Sequence, residues 1–414
     1  MIVENVYEIV VRIIRAIGPV IQFSPTTERM SPSMVLVSGQ NGNYDSQESL
    51  YQKGVKHMYD NGIEHVPTKY ILPAADRPHI MSEGAPCPEL NLELPVVDFA
   101  QLHGPNRSQV LESLACACEK YGFFQLVNHG IPEEIISSMV NVSRSFFEMP
   151  LSEREKYMSA DMRSPVRYGT SFNQTNDGVF SWRDFLKLVC HPLPDVLPHW
   201  PTSPLDFRQL AVCYAKETKI LFLMLVEAIL ESLGLNNTQK KTEKQTLVSP
   251  EDDEDDEILK ELGSGSQLMV VNCYPPCPQP DLTLGIPPHS DYGFLTLLLQ
   301  DRVKGLQIQH QHNWLTVQPV PGSLVVNVGD HLEIFSNGRY KSVLHRVVVN
   351  STDCRISVAS LHSFPFASTV RPSEKLVTDT NPRRYKDTDY ASFLDYLTSG
   401  DSTKKNFLES RKLN

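Results

Sequence analysis

The sequence predicts a mainly β protein with flanking α-helices, built on a double-stranded β-helix (jelly-roll) core. Between residues 267 and 366, short runs of alternating or continuous apolar residues are separated by Gly, Pro, Asp and Asn, a pattern typical of successive strands and turns. No helical interval interrupts these runs, so a jelly-roll or closed sandwich is favoured over a doubly wound sheet. The runs are QLMVVNCY, LTLLLQD, GLQIQH, WLTVQPV, SLVVNVGD, SVLHRVVV and RISVASLHSF.

Helical patterns flank this predicted core on both sides. Residues 206–233 keep an apolar stripe over several turns, and Gly234 after them suits a helix C-cap. Residues 158–204 contain several prolines and scattered aromatic residues, and we interpret them as loop-rich. The predicted organisation is an extension and linker (1–50), an N-terminal α/β region (51–205), the long helix (206–236), an acidic insertion (237–264), the jelly-roll core (265–370), and a closing helix with a tail (371–414).

The segment 237–264 is predicted to be disordered. It contains KKTEK, the acid run EDDEDDE and GSGS, which offer little apolar surface to offset the cost of ordering a backbone. The acid run carries seven negative charges of a net −11, so the rest of the chain is near balance and nucleic-acid binding has no electrostatic support. A solvated insertion is the simpler interpretation, and recruitment of a basic partner is the alternative.

The amino-terminal residues and the cysteines bear on the compartment. Residues 1–23 are rich in Ile and Val, but four charged residues interrupt any apolar span, and their acids argue against a secretory or transit peptide. We expect a loosely attached extension, with a membrane-surface helix as the alternative. The eight cysteines form no CxxC pair, as expected for reduced thiols. We therefore expect a cytoplasmic monomer without a membrane span.

Metal-ligating residue types recur within the predicted core. His289 and Asp291 lie two residues apart in a predicted strand, so their side chains are expected to share one face. His345 lies in a second β-branched run. Two histidines and one carboxylate leave half of an octahedral shell open, which is the facial triad of non-haem iron(II) oxygenases. An HxD pair alone is more often a surface pair, so this hypothesis depends on the residues that accompany it.

Those accompanying residues fit a dicarboxylate ligand. Arg355 and Ser357 follow His345 and share one face of an alternating run. A guanidinium group can hold a carboxylate through two parallel hydrogen bonds. Upstream, Asn272 and Tyr274 are again two residues apart.

With HxD, the distal histidine, RxS and NxYPPCP in this order, the chain resembles the plant 2-oxoglutarate- and iron(II)-dependent dioxygenases of hormone and specialised metabolism. The resemblance covers about residues 50–400, including LPVVDF and YGFFQLVNHGIP. It implies that the triad holds Fe²⁺ and that Arg355, Ser357 and Tyr274 bind 2-oxoglutarate, with O₂ as oxidant and ascorbate as reductant. It also implies release of succinate and CO₂, with hydroxylation more common than desaturation or ring closure.

Candidate substrate contacts come from strand parity and from the region that covers the pocket in this family. No basic cluster accompanies them, which favours an apolar or aromatic acceptor over a polyanionic one. Ordinary core packing is the competing interpretation for the two that lie between residues 158 and 204. The candidates are Tyr168, Phe172, Phe294, Leu361 and Ser363.

The sequence thus predicts a 2-oxoglutarate-dependent oxygenase that hydroxylates a small plant metabolite such as a phenylpropanoid, flavonoid or hormone. The alternative is a non-catalytic jelly-roll that acts as a small-molecule sensor or interaction protein. Loss of a triad residue or of Arg355 would favour that alternative, and all four are present.

Overall fold

The computed structural model describes residues 53–78, 91–171, 177–235, 254–398 and 407–413. Its strands form two sheets, with the order β1-β10-β9-β12-β7 in the smaller and β2-β3-β11-β8-β13-β6-β5-β4 in the larger. The strands are β1 (Asn91–Leu92), β2 (Val96–Asp98), β3 (Phe123–Val127), β4 (Val166–Thr170), β5 (Asp184–Val189), β6 (Gln267–Tyr274), β7 (Ile286–His289), β8 (Leu295–Gln300), β9 (Leu306–His310), β10 (Asn313–Val317), β11 (Leu324–Val328), β12 (His345–Val347) and β13 (Arg355–His362).

Strands β6 to β13 build the core by passing between the two sheets. β6, β8, β11 and β13 lie in the larger sheet, whereas β7, β9, β10 and β12 lie in the smaller one. Only the β9–β10 hairpin keeps two consecutive strands of this series in one sheet. This alternation is the double-stranded β-helix, and it confirms the fold class predicted from the sequence.

Helices cover one face of the larger sheet. On β13, Ile356 and Val358 belong to the main hydrophobic core, which also contains Phe222, Leu225 and Ile229 of the long helix. Burying one such side chain contributes about 1.5–3 kcal/mol. The helices are α1 (Val55–Asp60), α2 (Arg107–Lys120), α3 (Glu133–Glu148), α4 (Leu151–Arg154), α5 (Leu193–Val196), α6 (Phe207–Ser232), α7 (Glu254–Gly263), α8 (Asp330–Phe335), α9 (Tyr390–Thr398) and α10 (Phe407–Arg411). Within the described ranges, none is both long and apolar enough to cross a membrane.

Helix α7 corrects the prediction that residues 237–264 are disordered. Leu262 is fully buried, and Ile258 and Leu259 pack against the main core, so the sequence EILKEL provides an apolar stripe at helical spacing. Lys219 of α6 donates from Nζ to the carbonyl of Leu262 at 2.8 Å, where a cation favours a helix C-terminus. Residues 237–253, and the predicted extension at 1–50, lie outside the described residues.

The region 158–204 also differs from its predicted loop-rich character. It contributes β4 and β5, which extend the larger sheet beyond β6. Their register places Arg167 opposite Lys187 and Tyr168 opposite Leu186. These strands were not recognised in the sequence, because charged residues at alternate positions face the interior of the jelly-roll where a strand normally presents apolar residues.

A buried carboxylate joins the first helix to this strand pair. Asp184, at the start of β5, accepts hydrogen bonds from the backbone N–H groups of Val55 (2.7 Å) and Lys56 (3.0 Å) in the first turn of α1. It also accepts one from the Tyr168 hydroxyl at 3.1 Å and lies 3.8 Å from Arg154. Asp184 therefore satisfies helix N–H groups that would otherwise be buried without partners.

Candidate metal centre

The pairing of β7 with β12 brings the two predicted histidine ligands together. His289 and His345 are direct cross-strand partners, and their ring centroids lie 4.1 Å apart. Asp291 lies two residues beyond the end of β7, so the expectation that it shares a strand face with His289 is wrong in detail. Its Oδ1 nevertheless lies 3.6 Å from Nε2 of His289 and 3.7 Å from Nε2 of His345. The three donor atoms thus converge on one point.

Neighbouring side chains fix the carboxylate of Asp291. Its Oδ2 accepts hydrogen bonds from Thr296 Oγ1 (2.6 Å) and Asn327 Nδ2 (2.8 Å), which leaves Oδ1 to face the imidazoles. Burial raises the pKa of Asp291, but the two histidines and these hydrogen bonds outweigh it, so that the pKa falls below its ordinary value. The group is therefore an anion at neutral pH.

Backbone carbonyls orient both imidazole rings. Nδ1 of His289 lies 2.9 Å from the carbonyl oxygen of Pro287, and Nδ1 of His345 lies 3.3 Å from that of Val343. When each Nδ1 carries the proton and donates it to the carbonyl, the Nε2 lone pairs point towards Asp291. Such support of the second ring nitrogen is typical of metal-ligating histidines.

The predicted co-substrate residues lie on the neighbouring strands. The register of β13 and β6 places Arg355 opposite Tyr274 and Ser357 opposite Asn272. Arg355 is buried, with its guanidinium carbon 5.1 Å from the Tyr274 ring centroid. It donates from Nε to the Val303 carbonyl (3.2 Å) and from Nη2 to Gln300 Oε1 (2.9 Å). Among the described residues, its buried Nη1 has no hydrogen-bond partner, so the two N–H groups of this nitrogen remain for a ligand.

One cavity of about 610 Å³ contains the triad and these co-substrate residues. Alternate residues of the larger sheet line it, because successive strand side chains face opposite sides. The apolar part of this wall comprises Leu268, Val270, Leu298, Ala359 and Leu361. The parity that predicted Leu361 and Ser363 as inward-facing is therefore correct.

Two other predicted substrate contacts lie in the core and not at the cavity wall. Tyr168 is fully buried, packs against Phe146 and accepts a hydrogen bond from Arg154 at 2.7 Å. Phe294 is likewise buried, with its ring 6.4 Å from that of Phe222. Neither lines the cavity, since the register turns both side chains towards the helices. Phe172 lies outside the described residues.

The prediction that no basic cluster accompanies the candidate substrate contacts is wrong for the cavity that Leu361 and Ser363 line. Arg167, Arg183 and Lys187, which we call the basic face, line the same cavity as the triad. The alternation in WRDFLKL could have revealed Arg183 and Lys187 as neighbours on one face, but only if β5 had been recognised as a strand. The supporting roles of Thr296 and Asn327 had no sequence signal, because their contact with Asp291 depends on tertiary packing.

Two further titratable groups lie beside the triad. Burial raises the pKa of Asp330 to about 7 and lowers that of His331 to about 3. His331 is therefore neutral, and its Nδ1 lies 2.5 Å from the Ser363 hydroxyl oxygen.

Aromatic residues of the carboxyl-terminal helices close one side of the cavity. Tyr292, just after the triad aspartate, stacks on Phe393 of α9 with ring centroids 3.9 Å apart. Phe407 of α10 contacts the Phe393 ring from its edge. These three rings line the cavity and limit access of water to it.

Comparison with known proteins places this arrangement in a family. A sequence profile described as the 2OG-Fe(II) oxygenase superfamily matches residues 265–363, and one described as the N-terminal region of non-haem dioxygenases in morphine synthesis matches residues 94–204. DMR6-LIKE OXYGENASE 2 from Arabidopsis thaliana is 40% identical over 335 residues, which cover 80% of this chain and 90% of that protein. The chain belongs to the 2-oxoglutarate- and iron(II)-dependent oxygenase superfamily. It is a dioxygenase that uses iron(II) and 2-oxoglutarate.

Further relatives extend the similarity of this dioxygenase. Flavanone 3-dioxygenase 2 from Oryza sativa subsp. japonica is 39% identical over 348 residues, covering 83% of this chain and 93% of that protein. The crystal structure of JOX2 in complex with 2OG, Fe and JA has a TM-score of 0.73 to this dioxygenase and 29% sequence identity. The match covers 87% of this chain and 98% of that one. The fold of this dioxygenase thus has a counterpart in a structure that holds 2OG, Fe and JA.

Proposed function

We propose that this dioxygenase hydroxylates a small plant metabolite in the cavity described above. In this proposal the triad holds iron, while Arg355, Ser357 and Tyr274 hold 2-oxoglutarate. The observation that carries it is the convergence of two Nε2 atoms and one carboxylate oxygen in the same cavity as a buried guanidinium with a free N–H. Two imidazoles and one carboxylate form the ligand set of open non-haem iron(II) sites.

The residues fit both groups. The Asp291 carboxylate supplies the one anionic ligand, and hydrogen bonds from Thr296 and Asn327 hold its orientation. The partnerless Nη1 of Arg355 suits a carboxylate oxygen, because an unpaired buried N–H costs free energy until a ligand accepts it. When bound, iron and 2-oxoglutarate supply the oxidising chemistry that inserts oxygen into a C–H bond, with succinate and CO₂ as products.

The chain itself contributes orientation and water exclusion. Arg355 is held from three sides by Val303, Gln300 and the Tyr274 ring, so little conformational entropy is lost when it takes a carboxylate. The aromatic rings of α9 and α10 cover the opposite side. A covered site limits unproductive reactions with water and strengthens the electrostatic contacts inside it.

The relatives support a metabolite-sized acceptor. Flavanone 3-dioxygenase 2 is named for a flavonoid, and JOX2 is bound to JA. A cavity of about 610 Å³ lies within the usual range for small-molecule sites. We assign Leu361 and Ser363 as acceptor contacts, since both line the cavity on the side of β13. A cytoplasmic monomer is part of this proposal, and gel filtration with light scattering measures the oligomeric state.

The test of the proposed function is succinate formation. Protein supplied with iron(II), ascorbate, oxygen and 2-oxoglutarate is expected to form succinate slowly alone and faster with its acceptor. Asp291→Ala should reduce both rates to the protein-free level, because only two neutral imidazoles would remain to hold the cation. Asp353→Ala, at an exposed aspartate outside the cavity, is the matched control and should retain both rates.

Two outcomes would contradict the proposal. Succinate formation that persists in Asp291→Ala would remove the triad from its assigned role. Failure of the wild type to form succinate across a broad panel of metabolites, with iron bound, would support the non-catalytic sensor instead.

A further inference from the structure

The basic face occupies one end of the cavity floor. Arg167 on β4 and Lys187 on β5 are direct cross-strand partners, and Arg183 precedes β5 on the same side of the strand as Lys187. The guanidinium carbons of Arg167 and Arg183 lie 5.1 and 5.0 Å from the Phe185 ring centroid. Like charges directly opposite each other on neighbouring strands are destabilising. Asp161 and Asp177 offset part of this repulsion, and a bound anion would offset more of it.

Two of these cations have only neutral hydrogen-bond acceptors. Lys187 donates from Nζ to the backbone carbonyl of Met162 at 2.7 Å. Arg183 donates to Asn272 Oδ1 (3.1 Å) and to the carbonyl of Ser171 (2.9 Å). Across the part of the chain that the structure describes, no carboxylate oxygen lies within 4.0 Å of either side chain.

Burial makes these charges costly. Asp177 and Asp184 act on Arg183, and Asp161 acts on Lys187, through space and without a direct ion pair. Arg183 is only 8% exposed, and its Nε is buried without a partner. Burial lowers the pKa of Arg183, and burial together with the facing Arg167 lowers the pKa of Lys187 to about 8. A buried charge is normally paired, and its partner here can come from a ligand.

An apolar row of side chains connects the basic face to the metal side. Lys187 lies opposite Val270, Val270 opposite Ala359, and Ala359 opposite Leu298. All four line the cavity. The row spans three strand spacings, about 14 Å, and ends on β8 next to the strand position of Thr296, which holds Asp291. A ligand along this row has a cationic contact at one end and apolar contacts over its body.

We propose that the basic face binds a carboxylate of the acceptor, so that the acceptor is a small, largely apolar carboxylic acid. Lys187 and Arg167 form the outer part of this site, and Arg183 forms the part nearest Asn272. The inference rests on the proposed function and specifies its substrate class. Arg355 lies on β13 and is reserved for the co-substrate, so each of the two anionic ligands has its own cation.

The first experiment compares carboxylic acids with their neutral analogues. Phenylacetate, cinnamate and jasmonate, each beside its primary amide, are titrated by calorimetry into protein loaded with iron(II) and 2-oxoglutarate under nitrogen. Within a pair that binds, the acid is expected to bind about 10–100-fold more tightly than the amide, as for hydrogen bonds to a charged group. Equal binding of acids and amides, or no acid binding at millimolar concentration, would overturn the proposal.

The second experiment assigns the effect to named side chains. Lys187→Met should weaken acid binding about 10-fold and leave the amide unaffected, and Arg183→Gln should act in the same direction. Arg346→Gln is the control, because Arg346 is buried on β12 but does not line the cavity. If Arg183→Gln is insoluble, Lys187→Met decides. Acid affinity unchanged in Lys187→Met would also overturn the proposal.

Parallel measurements separate this inference from the proposed function. The affinity for 2-oxoglutarate is titrated in the absence of acceptor for each variant. A loss of 2-oxoglutarate binding in Arg183→Gln, with acid binding retained, would assign Arg183 to the co-substrate and contradict its role here. Succinate formation stimulated only by neutral compounds would overturn the acid class while leaving the oxygenase function intact, whereas absence of all succinate formation is a failure of the proposed function.

Discussion

The side of the cavity formed by His289, Asp291 and His345, which we call the metal edge, differs from the basic face in how completely the protein satisfies the polar groups. At the metal edge, the second oxygen of Asp291 and the second nitrogen of each histidine have partners within the chain. At the basic face, Lys187 and Arg183 contact only neutral acceptors. In our proposals the first group of residues holds one fixed ion, whereas the charge of the second is balanced by the carboxylate of a bound acceptor.

The largest expected effect separates Arg355 from the basic face. Arg355→Lys should raise the 2-oxoglutarate concentration for half-maximal succinate formation about 100-fold, because a point charge replaces directed guanidinium hydrogen bonds. Iron affinity and acid binding should remain. Arg346→Lys, at a buried arginine outside the cavity, is the control. An unchanged 2-oxoglutarate requirement in Arg355→Lys would mean that Arg355 does not bind the co-substrate. The assignment of separate cations to the co-substrate and to the acceptor would then be wrong.

A smaller effect is expected when the hydrogen bonding that orients Asp291 is weakened. Thr296→Val removes one hydrogen bond from Asp291 and should lower iron(II) affinity about 10-fold, as is usual for residues that support a metal ligand. Equilibrium dialysis with iron(II) under nitrogen measures this. Thr283→Val is the matched control, since Thr283 is fully buried with no partner for its hydroxyl. Equal iron affinity in the two variants would show that the Thr296 contact is incidental.

The smallest effect concerns the pH dependence of stability. The pKa of Lys187 is about 8 in the folded protein and about 10.5 in an unfolded chain. Between these values the unfolded chain binds a proton that the folded protein lacks, so this group makes the free energy of unfolding rise with pH. Thermal melts of Lys187→Met from pH 7.5 to 10 should show a shallower rise than wild type. Part of the rise should remain, because burial lowers the pKa of Lys219 to about 8 as well.

Lys216→Met, at an exposed lysine of α6, should leave this pH dependence unchanged. A slope in Lys187→Met that equals the wild-type slope would mean that the lysine carries no buried charge, and the contrast between the two ends of the cavity would weaken.

Most residues found from sequence share one property, which is that their spacing is local. His345 is the exception, because it lies far from Asp291 in the chain and was recognised by its residue type within a β-branched run. HxD, RxS and NxY each place two side chains two residues apart, and strand alternation then predicts Arg355, Ser357 and Leu361 on one wall. Phe294 and Tyr168 could not be placed in this way, because the side that each faces depends on which helix packs against its strand. For the same reason α7 was not predicted, because its apolar stripe indicates a buried helix face only when its packing against α6 is known.

The contact between Asp184 and α1 determines how far the chain can be shortened from its amino terminus. A variant that begins after residue 60 would lack the two N–H groups that donate hydrogen bonds to Asp184. The buried carboxylate would then be left without these two partners. Gly54 belongs to the required part as well, since its φ is 96° and a Cβ there would lie 2.8 Å from both carboxylate oxygens of Asp184. A shortened enzyme for crystallisation should therefore begin upstream of Gly54, even though α1 contributes no side chain to the cavity wall.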